Sequence, residues 1–212
     1  WSLTIVVMIK YVIFILMAEN EGEGGMFALT ALFLGKGAKK LPERTVKGLV
    51  FLGIFGAALF YGDGIITPVI SVLSAVEGLN VATKAAEPFV LPLSCGILAG
   101  LFLFQHHGTE RIGKVFGPIM LFWFTAIAAL GLAQVLRRPE ILAALDPRHA
   151  VFFFFVNRLH GMVVLGAVVL CLTGASALYA DLGHFGRGPI RLSWNSVVFP
   201  ALVLNYFGQT AL

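Results

Sequence analysis

Tyr61-Gly62-Asp63-Gly64-Ile65-Ile66-Thr67-Pro68 is the stretch on which the reading of this chain turns. It lies inside an apolar run from Val46 to Val76 whose charged residues are Lys47 and Asp63. Wound as a helix, that run is roughly 46 Å long at about 1.5 Å per residue. About 20 apolar residues cross a bilayer. Asp63 therefore falls near mid-membrane, between two glycines and shortly before a proline. A carboxylate at that depth is expensive, and it marks a functional group lining a polar path.

Composition agrees with a membrane solvent. The 212 residues are 58% hydrophobic and 12% charged, against roughly 25% charged in soluble domains. A formal charge of +4 suits basic loops at a membrane surface. No Lys/Arg cluster interleaved with aromatics offers a nucleic-acid surface. The expected fold is all-α, a polytopic transmembrane helical bundle forming one transmembrane domain over residues 1–212. Its spans are expected at about 1–18, 46–76, 87–105, 115–136, 160–181 and 192–212. The aromatic run Phe152 to Phe155 is expected at the interface or packed on the bundle. Loops 35–48, 105–114 and 183–191 carry more Lys and Arg than the others, which assigns them to the cytoplasm. Cys95 and Cys171 sit inside apolar runs without metal or redox spacing, and are expected as buried free thiols.

Within the central run, Asp63, Thr67, Ser71 and Ser74 recur at helical spacing and share one face. One carboxylate and a row of hydroxyls offer oxygen ligands to a hard cation, and the carboxylate can also carry a proton. The bland alternative is that the hydroxyls return bonds to their own helix or join helices. Pro68 has no N–H to give the Gly64 carbonyl, and freed backbone is tolerated at membrane depth where it lines a cavity. A second polar segment, Thr173-Gly174-Ala175-Ser176, has Thr173 and Ser176 on one face. Glu19, Glu23, Asp181 and Lys10 are candidates for a gate or a salt bridge. Asp181 reads as an end-of-helix acid beside His184, Arg187 and Arg191, and Lys10 as a snorkelling or acid-paired cation. No zinc-protease, nucleophile-elbow or phosphate-loop motif is present, so no enzyme is expected.

Six segments resemble the signatures of the Kup (KUP/HAK/KT) potassium uptake permeases. They are Phe60 to Leu79, Asn20-Glu-Gly-Glu-Gly-Gly25, His107-Gly-Thr109, Gly113 to Met120, Ala177 to Gly186 and Leu204 to Gln209. The resemblance runs from end to end. It implies an inverted-repeat permease of the amino-acid/polyamine/cation superfamily in the bacterial inner (plasma) membrane. Such a permease imports K+, typically with H+, by alternating access. The chain would be an internal fragment covering about the second to seventh transmembrane helices. By match to the family motifs, K+ would be held through Asp63, Thr67 and Thr173. Tyr61 is a neighbour in the motif, and Ser71 and Ser176 extend the ion-binding and coupling set. Many bacterial relatives carry Glu where this chain has Ser176, so either Asp63 carries the coupling or this variant moves K+ with altered coupling. No cofactor is implied beyond the transported K+ and H+. The expected partners are the lipid bilayer and, for the full-length protein, a second copy in a homodimer. The alternatives are a related carrier for an amino acid or polyamine and an uncoupled K+ pathway. A channel would need a filter such as Thr-Val-Gly-Tyr-Gly, which is absent.

Overall fold

The computed structural model describes residues 1–35, 42–82, 84–105, 109–170, 172 and 174–212. The described residues are almost wholly helical, and no strand occurs among them beyond one isolated bridge between Asn20 and Glu23. Among the described residues, three helical segments are long and apolar enough to cross a membrane: Glu43–Val81, Lys114–Arg137 and Pro147–Leu170. Leu3–Met17 and Glu87–Leu103 are shorter apolar helices. Large apolar side chains stand exposed along them, Ile65 at 72% and Phe122 at 76% among them. Lipid is as apolar as these side chains, so the exposure needs no protein cover.

The chain forms two compact units, Trp1–Gly53 with Met120–Leu212, and Ile54–Ile119. In the first unit, Leu3–Phe14 is wound as a π-helix and tightens into a single 3-10 turn at Ile15–Met17. The widened helix ends with carbonyls in need of donors. Arg191 supplies them: its Nε donates to the Val12 carbonyl and its Nη2 to the Ile13 carbonyl, both at 3.1 Å. Val7, Val12 and Leu16 from this helix meet Ala175, Tyr179, Leu182, Ile190 and Trp194 in one buried cluster. That cluster is the core of the unit.

A helix Pro147–Leu170 starts where sequence chemistry places a start. Asp146 caps it, its Oδ1 accepting from the Arg148 backbone N–H at 2.9 Å, and Pro147 occupies the first helical position. The Phe152–Phe155 run lies on this helix. Arg158 departs from helical geometry with φ 44°, which breaks the segment into two arms. The helix ends at Leu170, and a new one runs over Ala175–Ala180. Farther on, Gly131 and Gly208 mark a close helix crossing. A Cβ at Gly208 would come within 2.8 Å of the Gly131 carbonyl oxygen, so only glycine permits this approach.

In the second unit, the remainder of Glu43–Glu77 is followed by Leu79–Ala82, a 3-10 segment Lys84–Phe89 and the helix Val90–Gln105. Ser94 is buried, and its hydroxyl donates to the Val90 carbonyl at 2.7 Å. Cys95, expected to be buried, is free and exposed on the same helix. The correction follows from the solvent. An apolar run in a membrane protein can place a thiol against lipid rather than in a protein core. Cys171 lies outside the described residues.

Candidate functional site

Glu43–Glu77 is a single α-helix that continues through Pro68. Its continuity puts Asp63, Thr67 and Ser71 one turn apart on one face. The Thr67 hydroxyl donates to Asp63 Oδ1 at 2.9 Å. This differs from five other helical hydroxyls. Thr30, Ser94, Thr125, Ser196 and Thr210 each donate to the carbonyl four residues earlier. At Thr67 the acid captures the proton that the backbone would otherwise receive. The result is a side-chain oxygen pair on an apolar helix, next to the Gly64 carbonyl, which Pro68 leaves without its usual N–H donor.

Asp63 is half-buried and Thr67 and Ser71 are exposed. Tyr61 is 67% exposed and lies two residues before Asp63, about 200° round the helix at 3.6 residues per turn. It therefore sits off the Asp63 face. A motif read as a linear string hides this difference, and helical periodicity exposes it.

The other expected residues fall in the first unit. Ser176 is half-buried on Ala175–Ala180, and Thr173 lies outside the described residues. Lys10 is exposed, and its ammonium stands 5.3 Å from the centroid of the Tyr11 ring. That is cation–π distance, so the Tyr11 ring is a neighbour of this cation. Glu19 pairs with Arg187 at 2.9 Å. Glu23 lies against Gly183, where a Cβ would meet its carboxylate carbon at 2.9 Å.

Asp181 was expected as an end-of-helix acid beside His184, Arg187 and Arg191; the two arginines engage Glu19 and the Val12 and Ile13 carbonyls. The cause is Gly186, whose φ of 76° turns the chain before Arg187–Ser193 begins. The new helix carries both guanidinium groups toward the first helix. Asp181 itself is exposed, and its carbonyl accepts from the His184 N–H at 3.0 Å.

The acid- and glycine-rich stretch Ala18–Gly25, which the sequence marks as a turn at the membrane exit, has a defined shape. Asn20 and Glu23 exchange two backbone hydrogen bonds at 2.9 Å. The central residues have positive φ, 54° at Glu21 and 88° at Gly22, as in a type I′ turn. The Glu-Gly pair was the available signal.

The whole chain, residues 1–212, matches the family described as "K+ potassium transporter integral membrane domain". The chain belongs to that family. Three long apolar helices and this membership make it a multi-pass protein of the plasma membrane. It is 59% identical over 213 residues to "Probable potassium transport system protein Kup 2" of Syntrophobacter fumaroxidans, covering 100% of this chain and 33% of that relative. It is 56% identical over 212 residues to "Probable potassium transport system protein Kup 1" of Ralstonia nicotianae, with 100% and 34% covered. The "Probable potassium transport system protein Kup" of Chlorobaculum tepidum is also 56% identical over 212 residues, with 100% and 34% covered. The chain thus spans about a third of the length of the curated relatives it matches. No solved structure matches it.

Proposed function

We propose that this chain is part of a K+ uptake carrier that works by H+ symport with alternating access, within an inverted-repeat fold. The observation that carries the proposal is the Asp63–Thr67 oxygen pair at 2.9 Å on an apolar helix of spanning length. Its support is membership of a family whose relatives are named as potassium transport system proteins. Oxygen ligands suit a hard monovalent cation, and a lone carboxylate in an apolar segment is the natural proton carrier. Asp63 and Thr67 bind K+, with Thr173 as a third ligand. Ser71, Ser176 and Tyr61 contribute to binding or coupling, and no enzymatic step is involved. Because Ser176 brings no carboxyl group, Asp63 carries the coupling proton. Loops 35–48, 105–114 and 183–191 face the cytoplasm, and the full-length protein is a homodimer in the bilayer.

The test is growth of a K+-uptake-deficient cell at low external K+. Full-length Asp63→Asn protein, expressed at the parent's level, is expected not to support it. Normal growth would remove Asp63 from the mechanism. Coupling is tested separately in proteoliposomes, where K+ influx that ignores an imposed pH gradient would rule out symport.

A further inference from the structure

The acids at Glu19 and Glu23 suggest a gate that opens. The packing around them points the other way. The first helix and its turn meet the segment after Leu170 at several independent places. The Tyr179 hydroxyl donates to the Ala18 carbonyl at 2.5 Å. Gly24 has no room for a side chain, since a Cβ there would lie 2.8 Å from Leu182 Cβ. Leu16 and Leu182 are each 1% exposed. Arg191 holds two carbonyls at the end of the first helix. The Glu19–Arg187 pair, with side chains 30% and 44% exposed, is of the weak, screened kind that opens readily.

We propose that the Glu19–Gly25 turn is a permanent clasp, which fixes the short helix Ala175–Ala180 to the first helix so that the two move as one body throughout transport. Close-packed interiors respond as units rather than deforming continuously. The proposal rests on the alternating-access reading above for what the body does, though not for its existence.

Gly25 and Ala180 provide the test. A Cβ at Gly25 would lie 3.9 Å from the Ala180 Cβ, within the roughly 3.5–4.5 Å that a disulfide requires. The full-length Gly25→Cys/Ala180→Cys protein, in a background without other cysteines, is oxidised in membranes and assayed for K+ uptake. The cross-link is expected to form, and uptake is expected to be unchanged by it. Failure to form, or uptake lost on oxidation and regained on reduction, would overturn the clasp. Gly25 has φ 92°, which strains a cysteine. A second pair, Glu19→Cys/Arg187→Cys joined by a bifunctional methanethiosulfonate, therefore asks the same question at the ion pair, with the same two outcomes. A parent protein that takes up no K+ counts against the transport reading, not the clasp. The clasp is then read by amide hydrogen exchange on the full chain. The Asn20 and Glu23 amides are expected to be protected as strongly as Asp181, and faster exchange in the turn overturns the proposal.

Discussion

Replacing Thr67 by Val tests whether the Asp63–Thr67 pair does more than stabilise a helix. Valine keeps the shape of the side chain and removes the hydroxyl. Helix propensity changes little between the two. What is lost is one hydrogen bond of 2.9 Å to a carboxylate. Bonds to charged groups contribute about 1.5–3 kcal/mol. Thr67 is exposed and Asp63 half-buried, so the lower end of that range applies. About 1.4 kcal/mol is tenfold in an equilibrium. Thr67→Val in the full-length protein is thus expected to raise the KM for K+ on the order of tenfold. Thr67→Ser, which restores the oxygen, is expected to recover most of that loss. The assay is initial-rate uptake of a K+ tracer into cells lacking other K+ uptake, at matched expression. A Val variant with the parent's KM would refute the reasoning, because the hydroxyl would then serve neither the ion nor the acid.

Three further outcomes follow from the packing. Gly208→Ala places a methyl group 2.8 Å from the Gly131 carbonyl oxygen and is expected to destabilise by about 1–3 kcal/mol. Thermal unfolding in detergent should show a lower Tm, whereas Gly96→Ala, which meets nothing within 4 Å, should not lower it. Asp146→Ala removes the cap on the Arg148 N–H. It is expected to cost about 0.5–2 kcal/mol, seen as faster amide exchange in the first turn of Pro147–Leu170. Arg191→Lys exchanges a two-donor fork for a point charge. One of the carbonyls of Val12 and Ile13 then loses its partner, a loss of about 0.5–1.5 kcal/mol measurable by the same unfolding assay.

Much of this protein was readable from local chemistry. The helical character, the anomaly of Asp63 and the face shared by Asp63, Thr67 and Ser71 all follow from periodicity and hydropathy. Asp146-Pro147 announces a helix start in two residues, although the expectation for that region rested on the aromatic run instead. Contacts set by tertiary geometry were not readable. Arg187 and Arg191 are close to Asp181 in sequence, yet Gly186 turns them onto Glu19 and the end of the first helix. The π-winding of Leu3–Phe14 has no compositional signature, and it creates the carbonyls that Arg191 satisfies. Cys95 shows the remaining difficulty. In a membrane protein, hydrophobic neighbours in sequence do not distinguish lipid from core.

The hydroxyls of this chain also show what sets the Asp63–Thr67 pair apart. Where no acid is present, as at Thr30, Thr125 and Thr210, the hydroxyl returns to the carbonyl four residues back. Such a bond leaves no donor exposed to hydrocarbon. Thr67 has the same option, since the residue four back is Asp63 itself, but it bonds the carboxyl oxygen instead. An ionised carboxylate is the stronger acceptor, and it holds the hydroxyl proton away from the backbone. Once protonated, Asp63 has a donor of its own and attracts the Thr67 proton less. The hydroxyl can then rotate to the Asp63 carbonyl, as in the other threonines. In the ionised state, Asp63 and Thr67 present their oxygens together beside the freed Gly64 carbonyl. On the proposed symport reading, one proton would alternate with one cation at this turn of helix. Thr67→Val removes the hydroxyl oxygen from the turn and leaves the carboxylate, so on the proposed reading K+ affinity should fall.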